Sequence, residues 1–154
     1  MSFEPRGIVL QPGQGEELRL PGHPVIVPKL LAQDTGGAYS LLEMTIRGGG
    51  PPLHIHRGEE EAFYVLDGAV KVRLGDQVVD AATGSLVLVP RGLPHTFWSP
   101  GEAPARLLVI FSPGGYEDFF REAAMVAGEP GSPDYLAELD RLRARHNAWL
   151  VDGE

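Results

Sequence analysis

From Gly7 to about Phe111 apolar and polar positions alternate in short runs, broken every several residues by Gly, Pro or Asp. A period of two is the signature of half-buried strands. The runs Ile8–Leu10, Glu17–Leu20, Val25–Leu31, Ala38–Ile46, Ala62–Leu66, Val70–Leu74, Gln77–Asp80, Ser85–Val89, Pro94–Trp98 and Arg106–Phe111 each have strand length, and Gly75-Asp76 between two of them is placed for a hairpin turn. Roughly eight to ten strands of this kind close a sandwich or barrel, so the pattern predicts an all-β fold. Within Ala38–Ile46 either Tyr39, Leu41, Glu43 and Thr45 or Ser40, Leu42, Met44 and Ile46 face inward. The second, more apolar set is the expected interior.

After Phe111 the period changes. Behind the breaker Ser112-Pro113-Gly114-Gly115, the segment Tyr116–Ala127 carries Phe119, Phe120, Ala123, Ala124 and Ala127 at helical spacing, predicting a helix of about three turns. A second helix is expected from Pro133 to about Trp149, with Ser132 as N-cap, Pro133 at the first helical position, and Tyr135, Leu139 and Leu142 along one stripe. Glu138, Asp140, Arg141, Arg143 and Arg145 make its other face, expected to be solvated. The organisation is therefore a barrel over residues 1–115 and a helical extension of the same domain over 116–154.

Composition narrows the chemistry. With 154 residues, 43% of them hydrophobic, the chain supplies its own core. Its 20 Gly and 14 Pro fit a fold rich in turns. The formal charge of −8 and the scattered Arg argue against a nucleic-acid surface or an anionic membrane, which need an extended basic patch. Zero Cys excludes a disulfide framework, a Cys zinc site, an Fe–S cluster and a thiol nucleophile. The start of the chain lacks a basic region followed by an apolar stretch, and no apolar run approaches the roughly 20 residues of a membrane span, so a soluble, cytoplasmic protein is expected.

Residues 48–68 read GGGPPLHIHRGEEEAFYVLDG. His54 and His56 are two apart, so on a strand both imidazoles project from one face, the beginning of a divalent metal site. Alone, such a pair is more often a surface feature. The cluster Glu59-Glu60-Glu61 offers three carboxylates, and strand phase leaves open whether the face of Glu60 or that of Glu61 turns inward. A second segment, GSLVLVPRGLPHTFWS over 84–99, is an apolar strand that turns at Pro90-Arg91-Gly92 and returns with His95. His23, in a Pro-Gly turn, and His146, at a helix end, read as solvated. Gly48-Gly49-Gly50 lacks the strand-to-helix context of a phosphate loop and reads as a flexible lead into the histidine strand.

These two segments resemble the two cupin motifs, G-x5-H-x-H-x3,4-E-x6-G and G-x5-P-x-G-x2-H-x3-N. Gly48, His54, His56, Glu61 and Gly68 match the first, and Gly84, Pro90, Gly92 and His95 match the second, with Ser99 where Asn is usual. The resemblance implies a double-stranded β-helix, or jelly-roll, barrel with two C-terminal helices. It also implies a homodimer, packed through faces such as Tyr64 and Leu66. His54, His56, Glu61 and His95 are implied as ligands of one divalent transition ion, with Fe, Mn, Ni, Co, Cu and Zn all compatible with the set. Three imidazoles and one carboxylate would leave a dication at about +1 with positions open to a small substrate. Strand phase adds Phe63, Val65, Phe97 and Met44 as an apolar pocket or as plain core.

Within the cupins the strand Glu61-Ala-Phe-Tyr-Val-Leu-Asp-Gly68, the turn Val89-Pro-Arg-Gly-Leu-Pro-His95 and the tail Ser112-Pro-Gly-Gly-Tyr-Glu-Asp-Phe-Phe120 are similar to small quercetin-dioxygenase-like proteins. That likeness implies dioxygenation of an enol or phenol, with Glu61 both ligand and proton acceptor. Non-redox isomerase, lyase or hydrolase chemistry, and ligand binding without catalysis, are the alternatives.

Overall fold

A computed structural model of the chain describes residues 5–20 and 24–152. Strands β1 (Leu18–Arg19), β2 (Val25–Leu30) and β3 (Ser40–Ile46) come first, followed by β4 (His54–His56) and β5 (Glu60–Asp67). Then come β6 (Ala69–Leu74), β7 (Gln77–Ala82), β8 (Leu86–Val89), β9 (His95–Trp98) and β10 (Ala105–Ser112). Helices α1 (Glu117–Ala123) and α2 (Pro133–Arg145) lead to a last strand, β11 (Ala148–Leu150). One sheet has the order β1-β2-β3-β10-β5-β8 and the other β11-β4-β9-β6-β7, with antiparallel pairing throughout. The predicted all-β barrel, a double-stranded β-helix with helices after it, is the architecture found.

Two sheets that face each other bury every second residue. Ser40, Leu42, Met44 and Ile46 of β3 are buried, as expected from their pattern, and so are Ala105, Leu107, Val109 and Phe111 of β10. From the opposite sheet Val70, Val72 and Phe97 join them. A fully buried side chain of this size contributes roughly 1.5–3 kcal/mol, so this interior is the main source of the barrel's stability. Two glycines are fixed by close approach. A Cβ on Gly50 would lie 1.6 Å from the Phe97 carbonyl oxygen, and Gly68, at φ 82°, turns β5 into β6 against Pro104 and Ala105. The triple-glycine run is thus docked rather than flexible: Ser99 N–H donates to the Gly48 carbonyl at 2.9 Å.

Three expected elements differ. Ile8–Leu10 forms no strand and is exposed, so its apolar side chains gain nothing from burial. The first helix stops at Ala123 rather than Ala127. The second starts as expected, with Ser132 Oγ accepting from Tyr135 N–H, but stops at Arg145 rather than Trp149. Asn147 takes a left-handed φ of 57°, and the chain re-enters the barrel as β11, pairing Ala148 with His56 and Leu150 with His54. No helix among the described residues is long and apolar enough to cross a membrane.

Candidate metal centre

Strand β4 supplies His54 and His56, β9 supplies His95, and β5, from the other sheet, supplies Glu61. His54 stands directly opposite His95 across β4 and β9, and β11 braces the outer side of β4. All four side chains are buried, and their ligand atoms lie within 4.8 Å of one another. The choice that strand phase left open is resolved on β5: Glu61, Phe63 and Val65 point inward and Glu60 points to solvent.

Outer hydrogen bonds fix which nitrogen of each ring faces the cluster. His54 Nδ1 lies 2.7 Å from the Pro52 carbonyl and His95 Nδ1 2.9 Å from the Leu93 carbonyl. His56 Nδ1 lies 2.9 Å from Glu59 Oε1. A carbonyl or carboxylate oxygen only accepts, so each Nδ1 carries a proton and donates it, which leaves each Nε2 as the inward-facing atom and, in a neutral ring, its lone pair turned to the cluster. The inward atoms crowd. His54 and His56 Nε2 are 3.0 Å apart, and Glu61 Oε2 is 3.0 Å from His95 Nε2 and 3.4 Å from His56 Nε2. Acceptors at such distances need a positive charge between them, and three imidazoles with a carboxylate are a ligand set that first-row divalent ions accept. The residues present therefore fit a single metal ion.

Protonation follows the same logic. Burial, with the neighbouring charges of His95 and His56, lowers His54 to about 3, so this ring is neutral. Burial also works against charge on Glu61 and His95. It is outweighed by the hydrogen bond between them and by their opposite charges, which hold the Glu61 carboxyl below its usual range and His95 above its own. A cation entering the cluster competes with the proton those two share.

The cluster opens on a cavity with about 620 Å³ free of protein atoms, its mouth included. Met44 and Phe97 line it as expected; Phe63 and Val65 are not among its lining residues and lie in the apolar core. Phe63 packs on Phe97, with ring centroids 5.2 Å apart. Leu20, Pro24 and Ile26 form one further wall, and Phe111, Tyr116, Phe119, Phe120, Leu139 and Arg143, also outside the motifs, form another. Tyr116 stands edge-on to His56 at 4.4 Å. Burial, and after it the charge of Glu61, push its hydroxyl well above the ordinary value, so it is a neutral phenol. Arg143, expected on the solvated face of α2, is buried over Phe119. The helical apolar spacing in the sequence marked these helices as packed, but gave no sign of what they pack against.

His146 is also less exposed than expected: its ring lies edge-on to Tyr116 and Phe119, and Nε2 is 3.4 Å from Glu122. His23 lies outside the described residues. Ser99 is buried, and its hydroxyl donates to the Ala103 carbonyl at 2.6 Å, closing the turn before β10.

Residues 41–111 match the cupin domain family. Fold, site and match agree, and the chain carries a cupin domain. Among relatives, quercetin 2,3-dioxygenase of Bacillus subtilis is 30% identical over 93 residues, covering 58% of this chain and 26% of that protein. Among solved structures, TT1209 from Thermus thermophilus is 26% identical at a TM-score of 0.54, covering 60% of this chain and 86% of that one. KdgF from Halomonas sp. shares the fold at a TM-score of 0.64 and 16% identity, over 73% of this chain and 99% of that one. The aligned regions span between 19% and 65% of the curated relatives' own lengths.

Proposed function

We propose that this chain is a mononuclear metal-dependent dioxygenase acting on a small enol or phenol, with His54, His56, Glu61 and His95 as ligands of one divalent transition ion. The observation that carries this reading is the set of inward lone pairs, fixed by outer hydrogen bonds, at the floor of an apolar cavity. The similarity to quercetin 2,3-dioxygenase supports oxygenation over other uses of the same ligand set. A bound ion would supply Lewis acidity toward an enol oxygen and, if redox-active, a route for electrons to dioxygen.

The residues of the chain do the rest. Glu61 receives the enol or phenol proton at the floor of the cavity, where burial keeps bulk water from competing. Met44, Phe97, Phe111 and Phe119 form a dry wall suited to a planar, apolar substrate. Tyr116 offers a hydrogen bond without carrying charge. Tyr64, Leu66, Leu86 and Leu88 make an exposed apolar patch on β5 and β8, which we assign to a second copy of the chain.

The test is elemental analysis of protein purified without a metal-affinity tag, beside Glu61→Ala, with oxygen uptake measured after Fe, Mn or Ni reconstitution over flavonols and other enols. Near-stoichiometric metal in the parent, its loss in the variant and substrate-dependent oxygen uptake are the expected results. Anaerobic turnover with Zn would instead establish isomerase, lyase or hydrolase chemistry, and saturable binding without turnover a ligand-binding module. Absence of metal from both proteins after reconstitution overturns the assignment.

A further inference from the structure

Arg143 is unusual among the charged groups of α2. Its neighbours on the polar face, Glu138, Asp140, Arg141 and Arg145, are exposed or half-buried, whereas Arg143 is 8% exposed and lines the cavity. A guanidinium has five N–H donors, and burying them without partners is costly. Among the described residues it makes one hydrogen bond, from Nη1 to Asp140 at 3.0 Å, and it lies over the face of Phe119, 5.7 Å from Cζ to the ring centroid. The Nε–Nη2 edge, which is the fork that grips a carboxylate with two parallel hydrogen bonds, has no partner among those residues.

Its position relative to the histidine cluster is set by a row of rings. Tyr116 is edge-on to His56 at 4.4 Å and stacked on Phe119 at 5.1 Å, and Phe119 carries Arg143 on its face. Glu61 and Arg143 act on Tyr116 with opposite electrostatic sign, so the tyrosine lies within reach of both. The cavity thus has His54, His56 and Glu61 and, across aromatic and aliphatic walls, a buried cation with an unused bidentate face.

We infer that the cavity is built for an acid: the Nε–Nη2 edge of Arg143 pairs with the carboxylate of a small planar or aryl substrate whose enol or phenol oxygen points at the His–Glu cluster. The part concerning the enol oxygen rests on the function proposed above; the part concerning the carboxylate does not. Two matched pairs of acid and neutral analogue separate them. Phenylacetate and phenylacetamide differ in charge and lack an enol, and phenylpyruvate and its methyl ester add one. Binding is measured by calorimetry, with metal content read on the same samples.

In protein stripped with a chelator, phenylacetate should bind at least tenfold more tightly than the amide. Arg143→Gln should bring the two to parity, and Arg143→Lys should keep part of the preference. Asp140→Asn, which keeps an accepting oxygen for Nη1 but removes the exposed negative charge that competes for the guanidinium, should strengthen binding of the acid and leave the amide unchanged. Metal loading should tighten phenylpyruvate further while leaving phenylacetate unmoved. If the charged probes bind no better than the neutral ones in the parent protein, or if Arg143→Gln folds, keeps its metal and leaves the ratio unchanged, the inference is overturned and Arg143 only pins α2. Should Arg143→Gln fail to fold, an acid-to-amide ratio unmoved by Asp140→Asn overturns it equally. A carboxylate preference with no response of phenylpyruvate to bound metal would sink the part concerning the enol oxygen and leave the part concerning the carboxylate standing.

Discussion

Two parts of the same interior are built by the same strands. Along β5 the inward positions run Glu61, Phe63, Val65, and along β9 they run His95, Phe97 and then Ser99 just beyond it. Backbone geometry treats these positions alike. Around Phe63 and Val65 the interior is apolar, stabilised by burial alone and indifferent to what is dissolved outside. Around Glu61 and His95 the interior is a buried cluster of acceptors, which costs stability unless a proton or a metal ion stands between them. One region exists for the fold, and the other is a cost that the fold bears for the sake of chemistry.

The sharpest way to break that comparison is to truncate one residue of each kind. Glu61→Ala should abolish metal occupancy, read as metal per chain, while leaving a folded barrel, because it removes a ligand and a buried charge together. Phe63→Ala should do the reverse: a loss of about 3–5 kcal/mol in urea unfolding, from the cavity left against Phe97, with metal retained in the molecules that remain folded. Should Glu61→Ala destabilise the metal-free barrel as much as Phe63→Ala does, the distinction between the two regions fails.

Acid sharpens the comparison without mutation. In chelator-treated protein His54 is neutral when folded, at about 3, and ordinary when unfolded, at 6.5, so below 6.5 the unfolded state binds the extra proton. Stability therefore falls with pH from about 6.5 toward 3, by at most roughly 1.4 kcal/mol per pH unit from this group. Glu61, held below its usual range, adds in the same direction as pH falls through its folded value. His95 opposes them: raised in the fold, it stabilises below its ordinary value and loses that contribution as pH rises through the raised one. Urea midpoints in EDTA should drop between pH 7 and pH 4.5 in the parent. The drop should be smaller in His54→Gln and unaltered in Phe63→Ala. An equal slope in all three would remove the cluster from the explanation.

What the sequence made legible follows from the same division. Alternation marked the inward face of β3 but left Glu60 and Glu61 of β5 open, because a period of two gives two faces without saying which is inside; the resemblance to the cupin motifs named all four residues of the cluster. The helical cap was only half legible. Tyr135, Leu139 and Leu142 announced a packed stripe, yet Arg143 beside them read as solvent-facing, since a helical period says which residues share a face and not how wide the buried arc is. Strand β11 was hidden in the expected end of α2, because three residues pairing with β4 leave no period of their own. Ile8–Leu10 shows the converse: an apolar run of strand length that forms no strand and stays exposed.

The smallest expected effect concerns a residue that belongs to neither part fully. Glu59 is buried, lies outside the four ligands and accepts the Nδ1 proton of His56 at 2.9 Å. Its carboxylate selects the tautomer that leaves His56 Nε2 free to face Glu61, and its charge makes that nitrogen a better donor to a cation. Glu59→Gln keeps the shape and an accepting oxygen but removes the charge, so metal affinity should weaken by about 10- to 100-fold, with little change in the unfolding of metal-free protein. Competition against a chelator of known affinity measures it. A variant that binds as tightly as the parent would mean that the Pro52, Leu93 and Glu59 contacts only orient the rings. A variant that loses affinity without losing stability places the boundary between scaffold and chemistry one residue beyond the ligands themselves.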